Sequence, residues 1–156
     1  MPATTHLSPN EITVELGRYL ADFTACGVHP FDWGSRNCVH FCGGWWLRMT
    51  GVDALAELEM PSTAGAVRRW LRAQSGTLAD VVTLRTGRAP LPCASLAHTG
   101  DVVALPVAVG GAAGMALGIC AGRVGAVLTT HGDIGFVPLA GALRAWPLQR
   151  EALAAA

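Results

Sequence analysis

The spacing of apolar residues changes once along this chain, near Gly87, and that change limits the fold more than any other feature. Before it, apolar residues recur three and four apart, as along helices. After it, they come in short runs separated by glycine turns, as in strands. Helices first and strands afterwards imply an α+β fold, with N-terminal helices packed on a small antiparallel β-sheet. At 156 residues the chain reads as a single domain, residues 1–156, long enough for one hydrophobic core.

The helical half is punctuated by recognisable caps. Ser8-Pro9-Asn10-Glu11 reads as a capping box with proline at the first helical position, and Ile12, Leu16, Tyr19, Leu20 and Phe23 fall on one face of the helix that follows. That helix is expected to run to about Ala25 and stop at Gly27. A second spans roughly 37 to 50 and ends at Gly51, with Cys38, Phe41, Cys42, Trp45 and Met49 on its buried stripe. Ser62 is the expected cap of a third, which turns Val67, Trp70 and Leu71 inward and Arg68, Arg69 and Arg72 outward. A shorter helix covers Leu78–Leu84.

Beyond Gly87, Arg88–Leu96 reads as a linker rich in proline and small residues. Strand-like runs follow at Asp101–Leu105, Met115–Ala121, Val124–Thr130 and Ile134–Leu139. Gly122-Arg123 and His131-Gly132-Asp133 are the expected hairpin turns, and Ala140–Trp146 closes the core.

Composition removes several function classes. Half the residues are hydrophobic (51%), 14% are charged, the net charge is zero, and every basic residue is an arginine. Such a chain has too little charge for a disordered segment and no basic stripe for nucleic acid. The start shows no basic region followed by an apolar run, and Val102–Cys120 is broken by Pro106 and by glycines, so neither a signal peptide nor membrane insertion is expected. Five cysteines at irregular spacing argue for reduced thiols, as in a cytoplasm, rather than a disulfide framework.

Chemistry concentrates in Trp33-Gly34-Ser35-Arg36-Asn37-Cys38-Val39-His40-Phe41-Cys42, a turn that delivers a cysteine to the start of an apolar helix. Unpaired N–H groups and the positive end of the dipole favour a thiolate there, so Cys38 is expected to be a low-pKa nucleophile. The order of motifs from Phe31 to Leu139 resembles the NlpC/P60-like branch of the papain-like cysteine peptidases. Gly34-Ser35-Arg36-Asn37-Cys38 is similar to that family's Gly-x-x-Asp-Cys turn, with asparagine for aspartate. Gly100-Asp101-Val102-Val103 is similar to its Gly-Asp strand start. Ala116-Leu117-Gly118-Ile119-Cys120 is similar to its His-Val-Gly-Ile strand, with Ala116 where the catalytic histidine is expected. The chain looks closest to short members from phage and prophage tail gene clusters.

The resemblance implies a papain-like fold whose general base is missing. His131 has two readings: a substitute base for Cys38 if its turn folds inward, or a surface turn histidine, which the sequence favours. His40, two residues after Cys38 on a helix, points to another face and reads as a partly buried histidine satisfied by backbone. His29 and His98 read as structural or solvated, His6 as part of a mobile terminus, and Asp101 as a turn cap that could also orient a histidine. Cys38 and Cys42 could share a metal with Cys26, Cys93, Cys120 or a histidine, but the spacings match no ligand signature and no cofactor is expected. The adjacent Trp45 and Trp46 cannot both face one core, which would put one in a cleft or interface, with Gly43-Gly44 admitting another backbone or chain.

Two functions remain. The favoured one is a structural or assembly component of a phage or prophage tail tip, with hub or distal tail proteins as partners, located in the virion and assembled in the bacterial host cytoplasm. The other is an active cysteine peptidase of the tail tip that cuts peptidoglycan with Cys38.

Overall fold

A computed structural model describes residues 6–25, 30–74, 76–109 and 112–149. The capping box forms as the sequence predicts: the Ser8 hydroxyl accepts the Glu11 N–H and the Glu11 carboxylate accepts the Ser8 N–H, opening helix α1 (Pro9–Thr24). Gly27, the expected stop, lies outside the described residues, as do Cys26 and His29. Helix α2 (Cys38–Thr50) is capped by Asn37 and closed by Gly51 in the left-handed conformation, at the expected bounds. Helices α3 (Ala64–Gln74) and α4 (Leu78–Thr86) follow. The cap of α3 is corrected by one residue. The Thr63 hydroxyl, not Ser62, accepts the Ala66 N–H, because Thr63 is the residue whose carbonyl takes the first helical bond, from Val67.

The strands are β1 (Val102–Val109), β2 (Ala112–Cys120), β3 (Val124–Leu128), β4 (Ile134–Pro138) and β5 (Arg144–Trp146). They form one antiparallel sheet in the order β4-β3-β2-β1-β5. The segment expected to close the core does so as an edge strand beside β1. Both faces of the sheet are covered. Val102, Ala104, Leu117, Ile119, Ala126, Leu128 and Trp146 pack against Ile12, Leu16, Phe41 and Trp45 of the helices. Val103, Leu105, Cys120, Val127 and Ala145 pack under Leu91, Ala94, Ala97, Leu139 and Ala142. The presumed linker Arg88–Leu96 is thus a cover for the second face, and the Leu91 N–H bonds the Ala145 carbonyl at 2.7 Å.

Helix α2 lies at the centre of the helical layer, and this overturns the reading that Trp45 and Trp46 cannot both belong to one core. Trp45 is fully buried and Trp46 is 2% exposed. Trp45 faces the sheet and donates from Nε1 to the Gly100 carbonyl at 2.8 Å. Trp46 looks into a 40 Å³ apolar cavity walled by Leu55, Leu58, Val81 and Val82, with the Arg88 guanidinium 5.3 Å from its ring. A helix flanked on several sides has more than one apolar face. Burying each indole removes about 150–250 Å² from water, an upper estimate of about 4–6 kcal/mol apiece. The neighbouring glycines admit the chain's own side chains rather than another chain. A Cβ on Gly43 would stand 2.5 Å from Leu55, and one on Gly44 would stand 2.7 Å from the Tyr19 hydroxyl.

Candidate functional site

The site is assembled where a small closed turn meets α2. Asp32 and Arg36 exchange backbone hydrogen bonds at 2.9 Å, and the Asp32 carboxylate fills the turn, accepting the Gly34 and Ser35 N–H groups and the Ser35 hydroxyl. These donors hold the Asp32 carboxyl below its ordinary range, the Ser35 hydroxyl most of all. Asn37 then starts the helix. Its side-chain oxygen accepts the Val39 and His40 N–H groups, and its nitrogen donates to the Trp33 carbonyl at 2.6 Å. An aspartate would keep the first two bonds and lose the third, which accounts for asparagine here.

Cys38 is the first residue of α2 and half-buried. Its thiol lies against β2, at the backbone of Leu117, just where the pairing of β2 with β3 stops at Gly118 and Val127. The predicted low pKa is corrected in sign. Burial raises the Cys38 thiol above its ordinary value, and the N–H groups of Leu117, Cys38 and Val39 offset only part of that rise. Cys42, one turn on, is raised further, again by burial and by Cys38 beside it. Among the described cysteines the most thiolate-prone is Cys93, exposed on the far cover, where the Ser95 hydroxyl and backbone lower it.

The strand opposite Cys38 presents a different set of side chains from the one expected. Met115, Leu117 and Ile119 belong to the helix-facing core, whereas a Cβ on Gly118 would meet Val127 and Leu105 of the other face. Side chains alternate along a strand, so Ala116 points away from α2. The residues of β2 that look toward the helix layer are thus Met115, Leu117 and Ile119, and Ala116, aligned with the family's histidine, points away from Cys38.

His131 is exposed in the β3–β4 turn. There the Thr129 and Asp133 side chains bond each other and the His131 N–H bonds the Thr129 hydroxyl. Among the described residues no hydrogen bond joins His131 to Cys38, and no histidine is among the groups acting on the Cys38 thiol. His40 is not satisfied by backbone as expected: its Nδ1 is buried with no hydrogen-bond partner. Burial lowers His40 below its ordinary value, and the Asp32 carboxylate opposes that shift. The influence of the Asp32 carboxylate on His40 is not signalled in the sequence, although Asp-x-Gly-Ser is a turn signal. His6 is exposed.

Asp101 acts as the turn cap expected of it and does more. Its Oδ2 accepts the His98 N–H and its Oδ1 accepts the Leu148 N–H, both at 2.9 Å, and burial raises its carboxyl. It lies on an 840 Å³ groove shared with His98, Leu91 and Gln149, well apart in sequence from the Cys38 turn. Neither this groove nor the apolar cavity behind Trp46 is lined by Cys38 or His131. Among the described residues no three of histidine, cysteine, aspartate and glutamate come together as a metal site, and no helix is long and apolar enough to cross a membrane.

No curated protein matches this chain. The family model described as a domain of unknown function, DUF6950, matches residues 13–148, from within α1 to beyond β5. The chain belongs to the DUF6950 family.

Proposed function

We propose that this chain is an NlpC/P60-like domain without catalytic activity, serving as a structural or assembly component of a phage or prophage tail tip. The observation that carries the reading is the setting of Cys38: a thiol pushed toward its protonated form by burial, facing a strand whose helix-side residues are Met115, Leu117 and Ile119. A thiol hydrolase needs a thiolate and an imidazole within hydrogen-bond reach of each other. The turn that ends in Cys38, the helix it opens and the strand opposite support a papain-like arrangement. The tail-tip role rests on the resemblance of Gly34–Cys38, Gly100–Val103 and Ala116–Cys120, in that order, to tail-cluster members. Hub or distal tail proteins are the partners this implies, with peptidoglycan as a surface met by the assembled virion. A scaffold of this kind can persist as a building block after its chemistry is lost.

Incubation with peptidoglycan peptide stems tests the reading. The expected result is no cleavage above that of Cys38→Ala, with tail assembly unchanged by the substitution. Turnover abolished by both Cys38→Ala and His131→Ala would establish the peptidase instead.

A further inference from the structure

Charge is distributed unevenly over this neutral chain. Between residues 64 and 88 there are five arginines, Arg68, Arg69, Arg72, Arg85 and Arg88, against Asp80 alone. Between 49 and 67 the charged residues are Asp53, Glu57 and Glu59, all acidic. The two groups occupy neighbouring elements. Helix α3 packs on α4, and Arg85 of α4 donates to the Ala56 carbonyl at 2.7 Å, holding the acidic loop in place.

Arg68, Arg69 and Arg72 on α3, and Asp53, Glu57 and Glu59 on the loop, are exposed. Arg68, Arg69 and Arg72 make no ion pair or side-chain hydrogen bond among the described residues. By contrast, Arg18 and Arg48 are paired with Glu15 and Asp22. Asp53, Glu57 and Glu59 are exposed and likewise form no ion pair there. Apolar surface accompanies the charges: Leu84 on α4 is 69% exposed and Val52, at the start of the acidic loop, is 54% exposed.

We propose that the arginine face of α3, Arg68, Arg69 and Arg72, docks the Asp53–Glu59 loop of a second copy of this chain. The chain supplies both halves of the contact, three cations and three anions, none of them in an ion pair among the described residues. Guanidinium forks match carboxylates in bidentate geometry. Zero net charge gives no long-range attraction toward a polyanion, so a complementary protein surface is favoured over nucleic acid or another anionic polymer. The proposal does not depend on the tail-tip reading, and its test does not involve Cys38.

Sedimentation velocity of the full chain at ~10 mM and ~1 M salt, where the Debye length falls from about 30 Å to about 3 Å, is the first measurement. Association at low salt and its loss at high salt are expected. The triple reversal Arg68→Glu, Arg69→Glu, Arg72→Glu weakens association by about 100-fold or more, since like charges then face each other. The reversal Asp53→Arg, Glu57→Arg, Glu59→Arg does the same. Mixing the two variants restores association, because each reversed face then meets an opposite one. Circular dichroism confirms that these surface variants remain folded, and a triple glutamine variant at the three arginines, losing association without repulsion, stands in for any that does not. A chain that stays monomeric at low salt overturns the proposal, whether or not it binds heparin. So does failure of the mixture to associate.

Discussion

A helix N-terminus stabilises a negative charge by about 0.3–1 kcal/mol, up to about 2 in buried geometry, whereas desolvating an ionised group costs several times that. At Cys38 the two act in opposite directions and burial wins, so the same position that suggests a nucleophile yields a protonated thiol. Sequence exposes the first effect, because Gly34 to Asn37 announces a helix start, and hides the second, because burial depends on β2 lying across the helix end. His40 follows the same logic. It is held neutral in the fold, with Asp32 the opposing charge, and returns on unfolding to the ordinary value of 6.5. The unfolded chain therefore binds more protons below that value, and stability falls as pH drops through the folded pKa. Urea denaturation at successive pH values checks this: His40→Leu, which also removes the unpartnered Nδ1, is expected to flatten the acid-side loss seen in the parent chain.

Among the elements, helices are legible where caps and glycines mark their ends, as Ser8 and Gly51 do. Facing was less legible. β2 carries apolar residues on both sides, so it lacks the polar alternation that tells one face from the other, and the direction in which Ala116 points is not readable from sequence alone. The α2 tryptophans misled for a related reason: a central helix does not keep to one apolar stripe. Packing of α1 on α2 depends on Gly44, over which the Tyr19 hydroxyl passes to donate to the Phe41 carbonyl at 2.6 Å. Gly44→Ala is expected to displace that phenol and cost about 1–3 kcal/mol, read as a lower urea midpoint with an unchanged slope. Gly17→Ala, where nothing stands within 4 Å, is the control and is expected to be neutral or stabilising.

Over the whole molecule, the helical half, the sheet and the C-terminal segment are joined at Gly100 and Asp101. Trp45 bonds the Gly100 carbonyl, the Gly100 N–H bonds the Cys120 carbonyl, and Asp101 holds the N–H groups of His98 and Leu148. Asp101→Ala leaves two such donors without partners and is expected to cost about 3 kcal/mol by thermal or urea unfolding. Burial raises the Asp101 carboxyl above 3.8, so its contribution is fully present below that value and is lost as pH rises through the folded pKa, opposite in sign to that of His40. The sequence showed this residue as a turn cap, but its reach to Leu148 depends on long-range closure that no local pattern records.

The measurement that bears most directly on the proposed absence of catalysis is alkylation of each cysteine as pH is varied, resolved by mass spectrometry. Site resolution is essential because exposed Cys93, lowered by Ser95, is expected to react before Cys38 and would otherwise be mistaken for a catalytic thiolate. The account predicts that Cys38 reacts slowly, titrates above the free-cysteine value of about 8.5, and is unchanged in His131→Ala. A Cys38 thiolate titrating well below that value, with its reactivity lost in His131→Ala, would contradict it.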